Sequence, residues 1–119
     1  MVNIDDSLQE LMTLDGIMAA CVVDYQSGMI LGSAGSGIDL ELAAAGNAQV
    51  VKAKMETMKS LGIRGAINDI LITLDHQLHI IRPTTRYEDL FIYLVLDKPK
   101  SNLALARRKV QSVENMLQV

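Results

Sequence analysis

Leu90–Leu96 (LFIYLVL) is apolar at every position, so a strand there has no polar face to turn to water. Such a strand belongs inside a sheet covered on both faces, which predicts stacked layers of helix, sheet and helix. Asp97-Lys98-Pro99-Lys100 breaks the run. Apolar residues then return at Leu103, Ala106, Val110, Val113 and Leu117, the alternating three-and-four spacing of a helix. The other side of that helix carries Arg107, Arg108, Lys109, Gln111 and Glu114.

The same reading extends back to the start of the chain. Ile4, Leu8, Leu11 and Met12 mark a short first helix, with Asn3 as N-cap, Asp5 and Asp6 at its positive end, and Asp15-Gly16 as its stop. Ile17–Asp24 reads as a buried strand, turned through Gly28 into a second strand at Met29–Ser33. Gly32-Ser33-Ala34-Gly35-Ser36-Gly37 reads as a loop, and Asp39 as the N-cap of a helix from Leu40 to about Leu61. Beyond Gly62, Ile67–Leu74 alternates, with Ile70, Ile72 and Leu74 on one face and Asp69, Leu71 and Thr73 on the other. Asp75-His76-Gln77 turns the chain, Leu78–Arg82 returns, and Pro83 ends that strand. The predicted order is α-β-β-α-β-β-β-α, an α+β fold of about five antiparallel strands in a three-layer α/β/α sandwich, with residues 1–119 as one domain.

The long second helix has two apolar stripes. Leu40, Ala44, Asn47, Val51, Met55 and Met58 share one; Ala43, Gly46, Val50, Ala53, Thr57 and Leu61 share a second, roughly a quarter-turn or slightly more away. A helix packed only on its own sheet needs one. The second stripe can be explained by a covering loop, or by another helix approaching closely across its small residues. In the second case the approaching helix belongs to another copy of the chain.

Composition narrows the function. The chain carries a formal charge of −3, which gives no electrostatic reason to bind nucleic acid or an anionic membrane. With one Phe, three Tyr and no Trp in a chain that is 50% hydrophobic, the core is aliphatic and platforms for base stacking are nearly absent. One cysteine, Cys21, excludes an internal disulfide, and no signal peptide is visible at the N-terminus; the expectation is a soluble, cytoplasmic protein. Ile17–Val23, which no other wholly apolar run exceeds in length, is too short to insert across a bilayer.

No catalytic constellation stands out. Gly32–Gly37 has the spacing G-x-x-G-x-G, which is neither a phosphate loop nor a dinucleotide fingerprint. His76 and His79 flank a hairpin turn without further ligands for a metal, and read as exposed histidines. Cys21, between Ala20 and Val22, reads as a small buried hydrophobe rather than a nucleophile. Ser27, His76 and Asp24 can be assembled into a triad only on paper, and Asp5-Asp6 and Glu88-Asp89 read as solvated charge. The expectation is a non-enzyme with no cofactor and no metal.

Three stretches together resemble the roadblock/dynein light-chain family, particularly its bacterial MglB-like members. They are Leu14-Asp15-Gly16-Ile17 through Leu31-Gly32-Ser33, Leu74 through Pro83, and Phe91–Asp97 followed by Asn102-Leu103-Ala104-Leu105-Ala106-Arg107. The resemblance covers essentially the whole chain as one roadblock-like domain. It implies a homodimer in which the long helices pack together and the third strands join edge to edge, with Ala43, Gly46, Val50, Ala53, Thr57, Asp69, Leu71 and Thr73 at the interface. It further implies a Ras-like small GTPase as partner, whose hydrolysis MglB-like dimers stimulate without inserting an arginine finger. The alternative is a dimeric scaffold subunit of another signalling or motor complex. Arg86 and Lys100 are the candidate partner-binding charges.

Overall fold

A computed structural model describes residues 2–119. The elements are α1 (Ile4–Leu11), β1 (Ile17–Asp24), β2 (Met29–Gly35), α2 (Leu40–Ser60), β3 (Ile70–Thr73), β4 (Gln77–Pro83), β5 (Leu90–Asp97), a 3₁₀ turn (Lys98–Lys100) and α3 (Leu103–Met116). The five strands form one antiparallel sheet in the order β2-β1-β5-β4-β3. The all-apolar β5 is therefore the central strand, and Leu90–Leu96 is buried throughout.

Alternation along the strands divides the interior into two cores. Ala20, Val22, Leu78, Ile80, Ile92, Leu94 and Leu96 face α1 and α3, meeting Leu8, Leu11, Ala106, Val110 and Val113. Cys21, Val23, Ile81, Phe91, Tyr93 and Val95 face α2, meeting Ala44, Ala48 and Val51. Helix starts follow the sequence closely: the side chains of Asn3, Asp39 and Asn102 each accept a backbone N–H from the first turn of α1, α2 and α3.

Several boundaries differ from those read in the sequence. α1 stops at Leu11 with Met12 as C-cap, well before Asp15-Gly16. β2 continues through the supposed Gly32–Gly37 loop as far as Gly35, because Gly32, Ser33, Ala34 and Gly35 pair with Val22, Cys21, Ala20 and Ala19. These glycines reflect close approach rather than flexibility. A Cβ on Gly32 would lie 2.5 Å from Ile4 Cγ2, and one on Gly35, at φ +87°, would lie 2.7 Å from Ala19 Cα. β3 is confined to Ile70–Thr73, with 67–69 irregular. Pro83 is the last residue of β4, paired with Phe91, a strand-end position that proline tolerates.

His79 is the clearest correction. It is not an exposed hairpin histidine. It lies half-buried on the α2 side of β4, edge-on to Tyr93 with ring centroids 5.5 Å apart. Its Nδ1 is 2.9 Å from Tyr93 Oη and its Nε2 is 2.9 Å from Gln77 Oε1. If Tyr93 donates to Nδ1, the Nε2–H of the neutral ring donates to Gln77, and both nitrogens are satisfied without a charge. Burial pushes its pKa below the ordinary 6.5.

Gly35→Ala should destabilise the fold by about 2 kcal/mol or more, through left-handed strain and collision with β1, lowering the urea midpoint. The His79 shift sets a pH dependence. The unfolded chain takes up a proton near pH 6.5 and the folded chain only at lower pH, so this contribution is complete above about 6.5 and is lost as pH falls through the folded pKa. Cys21, Tyr25 and Tyr93 are all shifted upward and stay neutral across that window. The melting temperature should fall between pH 7.5 and 5.5, and less so in His79→Gln.

Candidate interaction surface

Five strands about 4.8 Å apart span about 19 Å, whereas a helix with its side chains is about 10 Å wide. Two helices, α1 and α3, cover one face of this sheet; α2 alone lies on the other. α2 sits toward the β1–β2 side. Lys52 Nζ donates to the carbonyl of Gln26 in the β1–β2 turn at 2.9 Å, and Ala45 lies against Gly28. The turn is itself held to the β4–β5 loop, where Tyr25 Oη donates to the Glu88 carbonyl and Tyr25 N–H to that of Asp89.

The α2 side of β3 and β4 is consequently only partly covered. Register places Ile70 beside Ile81 and Ile72 beside His79 on this face, and Ile70, Ile72, Gln77 and His79 are all half-buried. The helix wall beside this floor is the second stripe. Ala43 is half-buried, while Gly46, Val50, Ala53 and Thr57 are exposed. Val50 is 40% and Leu61 66% accessible. Thr57 Oγ1 donates to the Ala53 carbonyl at 2.9 Å, so its hydroxyl is satisfied within the helix. A Cβ on Gly46 would meet nothing within 4 Å. Glycine in a helix interior costs about 1 kcal/mol relative to alanine, and no contact inside the protomer offsets it here.

The strand residues read as interface are distributed differently. Asp69 lies just outside β3 and is tied to α3: Arg107 Nε and Nη2 donate to its two oxygens at 2.8 and 3.3 Å. Leu71 and Thr73 are exposed but pair with Ile80 and Leu78, on the sheet face away from α2. They share the free edge of β3 with α2's stripe but not its face. Ile70 and Ile72 are the strand residues beside the stripe. The alternation had already grouped them, with Leu74, on one face, but not which side of the sheet α2 would take.

Arg86 and Lys100 are not brought together. Arg86 precedes β5, donating to the Leu117 carbonyl at 3.3 Å, and Lys100 follows β5, 77% exposed and 3.9 Å from Asp97. The eight residues of β5 separate the two sites by about 25 Å. Arg86 borders a groove of about 790 Å³ shared with Met55, Met58, Ile63, Ile67 and Pro83; Lys100 does not.

The candidates for chemistry are dispersed. Cys21 is fully buried, and burial pushes its thiol up to about 12, far from a thiolate nucleophile. His76 is exposed in the β3–β4 turn, and Asp24 accepts the N–H groups of Gln26 and Ser27 in its own turn. Among the described residues no group of three or more His, Cys, Asp or Glu side chains is placed to hold a metal ion, and no helix is long and apolar enough to cross a membrane.

No family model and no curated protein matches this sequence. Solved structures do match in three dimensions. A Roadblock/LC7 domain from Streptomyces avermitilis superposes with a TM-score of 0.82 at 13% identity, covering 97% of this chain and 94% of that one. Myxococcus xanthus MglB superposes with a TM-score of 0.82 at 18% identity, covering 94% and 89%. An MglB in a tetrameric arrangement gives 0.80 at 17% identity, covering 94% and 82%. Helix order, strand order and layering together show that this chain has the roadblock/LC7 fold.

Proposed function

We propose that the chain works as a homodimer in the cytoplasm, a non-catalytic regulator or adaptor that binds a Ras-like small GTPase and modulates its GTP hydrolysis. One observation carries the self-association: a five-stranded sheet has a single helix on one face, and that helix turns a second stripe of small and apolar residues toward the uncovered strands. A two-fold axis at the β3 edge joins two sheets and sets a second α2 beside the first, over Ile70 and Ile72 of both copies. The same step pairs an otherwise open strand edge, which isolated proteins have to protect.

The GTPase partner is supported by the likeness of fold to MglB and by the MglB-like stretches of the sequence. The groove bordered by Arg86 is the surface we assign to that partner, since it adjoins the C-terminal half of α2.

Gly46→Leu should convert the dimer to a folded monomer, because the position is exposed and a Cβ there meets nothing within 4 Å in the protomer, while the added side chain blocks helix approach. Light scattering gives the mass and circular dichroism the fold; a folded variant that stays dimeric refutes this interface. Mixed with a small GTPase loaded with a GTP analogue, the wild-type dimer should gain mass only in the GTP-like state. Arg86→Glu should weaken that capture about tenfold, a size ordinary for one charged contact, while Lys100→Glu leaves it unchanged. A dimer indifferent to the GTPase points instead to a scaffold subunit.

A further inference from the structure

The opposite face of the sheet holds a second feature. A groove of about 480 Å³ runs between α3 and the lead-in to β3, lined by Asn68, Asp69, Arg82, Arg107, Arg108 and Gln111. Three guanidinium groups thus converge on one concavity in a chain whose net charge is −3. Two carboxylates answer them. Asp69 takes both facing donors of Arg107, and Glu114, buried, takes Arg82 Nε at 3.0 Å.

The remaining donors are uncommitted. Arg82 uses only Nε, leaving two terminal amines on a side chain that is 14% exposed and lines the groove. Arg108 has no ion pair and, like the side chains of Asn68 and Gln111, no hydrogen bond among the described residues. Glu114 also accepts from Thr85 N and Oγ1, so it stays committed to the β4–β5 loop and holds the Arg82 guanidinium in place.

We propose that this groove is an oxyanion site, taking a phosphoryl group on Arg82 and Arg108 with Asn68 and Gln111 as neutral donors. Planar guanidinium forks favour phosphate and carboxylate alike. A carboxylate offers acceptors in one plane, and Asp69 and Glu114 already fill that role. Donors approaching from β4, from the 67–69 segment and from α3 suit a tetrahedral group, which presents acceptors in several directions. The phosphoryl group could come from a small molecule or from a phosphorylated side chain on a partner protein; the chemistry recognised is the same.

The test is titration of the ¹⁵N-labelled full chain with inorganic phosphate at constant ionic strength. Saturable shifts are expected at the side chains of Asn68, Arg108 and Gln111, with apparent affinity about tenfold weaker in Arg108→Gln, an exposed position where loss of one charged donor leaves the core untouched. Shifts that fail to saturate, spread over the basic surface as a whole, or persist unchanged in Arg108→Gln overturn the site. A second titration with a short phosphoserine peptide separates the sources. Tighter binding than phosphate alone indicates a protein-borne group, and equal binding a small anion.

Discussion

A strand with no polar face can be satisfied only by burial on both sides, and β5 imposes that condition on everything around it. Its seven apolar residues point alternately into two separate cores, and its backbone is bonded on both edges, to β1 and to β4. Two layers of helix are therefore obligatory. At about 25 cal/mol per Å² of apolar surface removed from water, each of its large side chains contributes on the order of 2 kcal/mol, more than any surface ion pair in the molecule. The helices, the order of the strands and the depth of Tyr93 and Phe91 all follow from covering this one strand.

The covering is unequal, and the inequality gives the molecule its surfaces. α1 and α3 share one face. α3 is held against the far strands by two charged contacts, Glu114 with Arg82 and Arg107 with Asp69. On the other face α2 is held toward the β1–β2 hairpin, by Lys52 on the Gln26 carbonyl and by packing on Val23 and Tyr25. Once α2 sits there, the α2 side of β3 and β4 has no helix of its own. Gly46, Val50 and Thr57 flank that ledge, and the polar pairing of His79 with Tyr93 and Gln77 lies within it. Ion pairs on one face and a missing helix on the other thus make two different surfaces, one basic and hydrogen-bonding, the other small-residue and apolar.

Glycines illustrate how local chemistry serves this arrangement in opposite ways. Gly35 is demanded by its own backbone and by β1, and Gly32 by the approach of α1. Gly46 is demanded by nothing within the protomer. The first two stabilise the fold directly; the third weakens its own helix, and no neighbour within 4 Å in the protomer requires it.

Much of this architecture was legible in the residues. Period and capping set the strands at Ile17–Asp24 and Leu90–Leu96, the helix starts after Asn3 and Asp39, and the two stripes of α2, because these depend on neighbours a few positions away. What the sequence left undecided depends on partners far along the chain. Gly32–Gly35 looked like a loop until β1 paired with it, and Asp69 looked like an edge residue until Arg107, thirty-eight positions on, bound it. Alternation separated Ile70 and Ile72 from Leu71 and Thr73, but a strand has the same pattern whichever side a helix takes. Only packing decided that α2 takes the sheet face carrying Ile70 and Ile72, and that Arg82, Arg107 and Arg108 share one groove. Local conformation is a property of neighbouring residues, whereas a surface is assembled from residues that folding brings together.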